Sequence, residues 1–274
     1  MIWPFRPKFR KQIARVEISG AIAAETRKQV LGALKIVEQR KFPALLLRID
    51  SPGGTVVDSQ EIHAAIERLR GKNDTKIIAS FGNISASGGV YIGVSADRIV
   101  ANPGTITGSI GVILRGNNLE KLLDRVGVSF KTIKSGPYKD ILAFDRELTD
   151  PERDILQALI DSSYGQFIGV VARGRQLEPE AVRGFADGRV FTGEQALEYG
   201  LVDRLGTEED ARCWACELAG LDPEKTRTFT FEQKKSPIDR VLGRSAALAR
   251  LDATSARIDF ELATNGQPLW MYHP

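Results

Sequence analysis

Gly82-Asn83-Ile84-Ser85-Ala86-Ser87-Gly88-Gly89-Val90-Tyr91-Ile92 follows directly on an apolar run, residues 76–81, that reads as a β-strand. A strand, a turn of small residues, and then residues 90–96 at helical spacing is the context that lifts a serine hydroxyl clear of a sheet. Gly88 and Gly89 let the backbone approach a ligand with no Cβ in the way. The helix that follows would aim its free N–H groups, and the positive end of its dipole, at anything bound beside Ser87. That suits a nucleophile with its own oxyanion donor. A tight turn of small residues with no chemistry is the other reading.

On either side the chain alternates strand and helix. Residues 13–18 read as a strand, 25–40 as a helix with one apolar face, and 44–49 as a central parallel strand. Asp50-Ser51-Pro52-Gly53-Gly54 is a turn with no way to continue the sheet. A helix over 56–69, the strand over 76–81, and short strands at 98–101 and 111–114 follow. Next come a helix over 118–126 and a strand over 128–133. This order predicts an α/β layer with a mostly parallel sheet. In such sheets ligands bind at the carboxyl ends of the strands, where both glycine turns fall.

Beyond Asp140 helices dominate. Thr149 and Glu152 have capping-box spacing and open a helix to about Arg173, and Thr192 and Gln195 repeat the spacing before a short helix ended by Gly200. Thr207 caps a helix over 208–218, and Ser236-Pro237 opens a last one through Leu262. The tail, residues 265–274, is apolar without a partner segment of its own; it packs on a neighbouring subunit or enters a peptide groove.

With 274 residues, 42% hydrophobic and 27% charged, the chain can bury a full core. A net charge of +3 and no basic stripe interleaved with aromatics give no case for nucleic acid. No apolar run of about 18 residues and no secretory h-region are evident, which predicts a cytoplasmic protein or one peripheral on the cytoplasmic face of a membrane. Residues 1–12 mix Trp3, Phe5 and Phe9 with Arg6, Lys8, Arg10 and Lys11, so this end could rest on anionic lipid; a floppy basic terminus is the plainer reading. Cys213 and Cys216 form a lone CxxC in mid-helix. It lacks the helix N-terminus of a redox motif and the further ligands of a zinc site, and reads as packing. No metal and no cofactor are predicted.

A nucleophilic serine needs a base. His63 precedes Ser87 on a predicted helix and His273 is the penultimate residue, so neither is well placed. A lysine made neutral by burial can serve instead. Lys134-Ser135-Gly136-Pro137-Tyr138-Lys139-Asp140 leaves the predicted 128–133 strand in a glycine-flanked turn, and residue types alone do not choose between Lys134 and Lys139.

Five motifs in order carry a resemblance: Asp50 to Gly54, Ser85-Ala86-Ser87-Gly88-Gly89, Thr107-Gly108-Ser109-Ile110-Gly111-Val112, Ser135 to Asp140, and Ala186-Asp187-Gly188-Arg189-Val190-Phe191-Thr192-Gly193 continuing to Gly200-Leu201-Val202-Asp203. Over about residues 13–220 the chain resembles the bacterial signal peptide peptidase A family in its short form, whose fold is related to ClpP and the crotonases. The resemblance implies a ClpP/crotonase-like peptidase domain over 13–220 and a C-terminal strand, helix and apolar tail over 221–274 that makes oligomer contacts. It implies a Ser/Lys dyad of Ser87 and Lys139, an oxyanion hole of the Gly53 and Gly88 amides, and Ser109 orienting the lysine. The substrates implied are short, unstructured hydrophobic peptides such as cleaved signal peptides, and the assembly a homo-oligomeric ring that can share sites between subunits. The family's common membrane-spanning N-terminus is missing from this sequence, and one copy of the domain is present. Two other readings are a crotonase-like acyl-CoA enzyme, which leaves Ser87 and Lys139 unexplained, and a catalytically silent membrane-associated scaffold.

Overall fold

The computed structural model describes residues 11–231 and 267–272. β1 (Gln12–Ser19), α1 (Ala24–Arg40) and β2 (Ala44–Ser51) form the first crossover unit, with Ala14 opposite Leu45 and Ile18 opposite Ile49 in parallel register. α1 turns Val30, Leu34 and Val37 inward, as their spacing requires, and ends at Lys41 in the left-handed conformation. After β3 (Gly53–Thr55) and α2 (Val56–Asn73), β4 (Lys76–Ala86) takes the centre of the sheet beside β2. α3 (Gly88–Gly93) follows it, then β5 (Arg98–Ala101), β6 (Ile106–Gly108) and α4 (Glu120–Val126).

The second half supplies α5 (Asp150–Arg175), α6 (Pro179–Arg183), β7 (Val190–Phe191) and α7 (Gly193–Glu198). It closes with β8 (Arg204–Leu205), α8 (Glu208–Leu218), β9 (Arg227–Thr230) and β10 (Leu269–Met271). The main sheet runs β7-β6-β4-β2-β1-β9, with β5 joining β4 to β8, and every pairing is parallel except β6 with β7. Alternation along β2 sends Leu45, Leu47 and Ile49 into the main core with α1 to α3, and Ala44 and Leu46 to the other face, under Ala211, Ala215 and Cys216 of α8. A sheet covered on both faces is the expected α/β architecture.

Four expectations change. β4 does not stop at Phe81 but runs to Ala86, because the Asp50 carboxylate takes up the bend: it accepts from the Ile84 N–H and the Asn83 amide, both at 3.1 Å. Gly82 passes so close that a Cβ there would meet Asp50 at 2.6 Å. Gly53 and Gly54, read as the end of the sheet, begin a strand of their own in β3. Residues 111–114 form no strand beyond a single bridge from Ile113 to Leu269. Residues 128–133 are exposed and form no strand, since among the described residues no neighbouring strand pairs with them and an isolated strand is unstable.

α5 has the capping box expected of Thr149 and Glu152, and its second half buries Phe167, Ile168, Val170 and Val171. By length and composition α5 is apolar enough to cross a membrane, contrary to the expectation that no such run is present, yet its Phe167, Ile168, Val170 and Val171 belong to the core. The predicted helix over 236–262, residues 1–10 and His273 lie outside the described residues.

Candidate active site

Ser87 sits between the end of β4 and the start of α3, fully buried, with φ 53° and ψ −114°. A non-glycine residue there is strained by about 1–3 kcal/mol, and the surrounding bonds hold it in place. Its N–H donates to the Gly108 carbonyl at 2.8 Å and its carbonyl accepts from the Tyr91 N–H at 2.9 Å. Among the described residues Oγ has no hydrogen-bond partner. A buried hydroxyl left unpaired costs about 1–3 kcal/mol. Strain and an unpaired hydroxyl on one residue are marks of a reactive position.

Gly53 and Gly88, from different loops in the sequence, meet beside it. A Cβ on Gly53 would lie 2.7 Å from the Gly88 nitrogen, and Gly53 has φ +102°, so only glycine fits. The Gly53 N–H donates to Ser51 Oγ at 3.1 Å, and its carbonyl accepts from Ile22 at 2.8 Å. Ser59 Oγ stands under Gly88 and donates to the Thr55 carbonyl at 2.9 Å. On the other side Gly108 and Ser109 both have positive φ, and the buried Ser109 donates its N–H to the Arg189 carbonyl at 2.7 Å. Four of the five predicted site residues are thus neighbours of one another through backbone contacts.

The fifth is apart. Lys139 is exposed, and since Ser87 Oγ has no partner the single chain does not join them. The two lysines differ in their contacts. Lys134 Nζ is engaged, donating to Asp140 Oδ1 at 2.6 Å and to the Pro137 carbonyl at 3.0 Å. Arg146 grips the same Asp140 and the buried Glu152, whose carboxyl it holds down at about 2 with help from the Thr149 N–H. Lys139 Nζ makes no ion pair or hydrogen bond among the described residues.

The residues the sequence reading missed are aromatic. Tyr91 and Phe167 pack edge to face with ring centroids 5.3 Å apart, and Trp270 of β10 packs against both, stacked on Tyr91 at 4.1 Å and tilted 4.9 Å from Phe167. His63 lies 5.0 Å from the Tyr91 ring and in contact with Glu67, and its burial lowers its pKa below the ordinary 6.5. The apolar tail was the one available signal of Trp270.

The model of peptidase family S49 matches residues 70–222 of this chain. The chain belongs to peptidase family S49. It is a serine peptidase, a hydrolase of the SppA and Protease 4 type. Among its S49 relatives, "Putative protease slr0021" of Synechocystis sp. is 63% identical over 278 residues, covering 99% of this chain and 100% of that one. "Protease 4" of Salmonella typhi is 39% identical over 181 residues, 66% of this chain but 29% of its own length. "Serine protease SPPA, chloroplastic" of Arabidopsis thaliana is 34% identical over 234 residues, 80% of this chain and 34% of its own length. The chain therefore spans about a third of those two longer relatives.

Solved structures share the S49 chain's fold at low identity. The 1510-N membrane-bound stomatin-specific protease, solved as a lysine-to-alanine mutant in complex with a substrate peptide, gives a TM-score of 0.55 at 18% identity over 85% of this chain and 96% of that one. ClpP1 of Listeria monocytogenes gives 0.50 at 18% identity over 72% and 93%. The CxxC of the S49 chain stays outside the site: Cys213 and Cys216 are free on α8, burial raises both thiol pKa values, and Cys216 belongs to the core.

Proposed function

We propose that this chain is an endopeptidase in which Ser87 is the nucleophile and Lys139 the general base, acting on short, unstructured hydrophobic peptides such as cleaved signal peptides. One observation carries the reading: a fully buried, unpartnered Ser87 Oγ on a strained backbone, beside two glycines that only a glycine backbone could place so close. Neutral Lys139 takes the Ser87 proton as Oγ attacks the peptide carbonyl carbon. The Gly88 N–H, and the Gly53 N–H once it leaves Ser51, hold the oxyanion, each worth about 3–4 kcal/mol. The ammonium then gives its proton to the departing amine as the C–N bond breaks. A water, losing its proton to Lys139, attacks the acyl-enzyme; the C–Oγ bond breaks and Ser87 recovers its proton. Ser109 is proposed to orient the ammonium form.

A lysine serves at neutral pH once desolvation brings its pKa to about 7–8. Desolvation of Lys139 requires a cover, and a second copy of the chain is the one we propose, in a homo-oligomeric ring. Along the stretch of chain leading to Lys139, Leu122, Val126, Phe130, Ile133 and Tyr138 are exposed, apolar side chains that a second copy would cover. Residues 13–220 are assigned to the peptidase domain and 1–12 to peripheral contact with a membrane surface; β9 and β10, expected among the oligomer contacts of 221–274, pair instead with β1 and β3 of the same chain. The test is hydrolysis of an unstructured apolar peptide: Ser87→Ala and Lys139→Ala each reduce it at least a thousandfold. Full activity in either variant overturns the assignment.

A further inference from the structure

The groove in front of Ser87 is filled by the chain's own tail. β10 pairs antiparallel with β3, Trp270 opposite Gly54 and Met271 opposite Gly53. On its other edge Leu269 exchanges two backbone hydrogen bonds with Ile113, at 2.9 and 3.1 Å, and Tyr272 donates its N–H to the Pro52 carbonyl at 2.6 Å. An extended segment held on both edges is how a groove takes a peptide, main-chain bonds giving affinity and side-chain pockets selectivity. The register matters most. The Trp270 carbonyl oxygen lies 1.9 Å from the point where a Gly53 Cβ would begin and 3.1 Å from the same point on Gly88. A peptide carbonyl therefore already rests against the two glycines assigned to the oxyanion hole. The Trp270 side chain is fully buried against Tyr91 and Phe167, which also touch each other.

We propose that residues 269–271 are a built-in competitive occupant of the peptide groove, and that the aromatic surface of Tyr91 and Phe167 selects an extended peptide with a bulky aromatic residue on the carbonyl side of the reacting bond. The inference rests on the proteolytic reading for its consequence and on the geometry alone for its binding site. A groove open only for a fraction of the time binds peptides with affinity reduced by that fraction. Removing the tail thus lowers KM and leaves kcat nearly as it was. The loss of Trp270 alone has most of that effect, because the ring supplies the buried area.

Two measurements separate this inference from the chemistry. In the first, a chain ended at residue 264, and separately Trp270→Ala, are assayed with an aromatic-containing peptide; KM falls about tenfold or more in both. In the second, the Ser87→Ala form of the shortened chain is titrated with a labelled synthetic peptide of residues 265–274. It binds, the binding raises Tm, and the full-length Ser87→Ala chain binds it at least tenfold more weakly. Equal binding by the two lengths, or no binding by the shortened one, overturns the inference. If the shortened Ser87→Ala chain binds the peptide yet the shortened chain with Ser87 intact hydrolyses nothing, the groove and its occupant stand and the serine–lysine reading falls.

Discussion

At residue scale the strain at Ser87 has a measurable consequence. Alanine at that position keeps the unfavourable φ of 53°, whereas glycine relieves it. Ser87→Gly is therefore expected to be more stable than Ser87→Ala by about 1 kcal/mol in urea unfolding, the reverse of the usual order, with hydrolysis lost in both. His63 gives a pH prediction. Burial disfavours its imidazolium, reinforced by Arg173 and Arg70 and opposed by Glu67, so its folded pKa lies below 6.5. The unfolded chain then takes the proton first, and stability falls as pH drops below 6.5 until the folded form titrates as well. His63→Gln flattens that part of the curve of stability against pH, measured between pH 7.5 and 5. An unchanged slope means that other groups carry it.

At the scale of elements, the bracket of Asp140, Arg146 and Glu152 ties the segment that carries Lys139 to the start of α5. The Glu152 carboxyl, held at about 2 by Arg146 and the Thr149 N–H, stabilises the fold above its ordinary range. That contribution is lost as pH falls from about 4.5 towards 2. Arg146→Ala leaves the buried Glu152 and the Asp140 carboxylate without their cation, and we expect a lower Tm and a kcat reduced at least tenfold, with peptide binding by the groove retained. The elements most legible in the sequence were those whose signals are local. α1, α5 and α8 followed from apolar spacing and caps, and β1 and β2 from short apolar runs between turns. The failures were pairing problems. Residues 128–133 have strand chemistry but no adjacent strand, and β4 continued past Gly82 because Asp50, distant in sequence, satisfies the bend. β10 finds its partner β3 across more than two hundred residues, which no local pattern reveals. Ser87, Gly53, Gly88 and Ser109 were singled out through their motifs, and the structure places them near one another; the choice of Lys139 over Lys134 came from the resemblance alone.

For the whole molecule, the fold brings a buried serine and two glycines together within one chain but leaves Lys139 on an exposed apolar surface. A single copy is therefore an incomplete catalyst in this account, and activity depends on assembly. Dilution below the association range should abolish hydrolysis without unfolding, read by sedimentation and activity on the same samples. The most direct test of the shared site is to mix the Ser87→Ala and Lys139→Ala chains, each inactive alone, and let them exchange subunits. If Ser87 of one copy works with Lys139 of its neighbour, random mixing restores about a quarter of wild-type sites. A mixture that exchanges subunits and stays inactive would contradict the account.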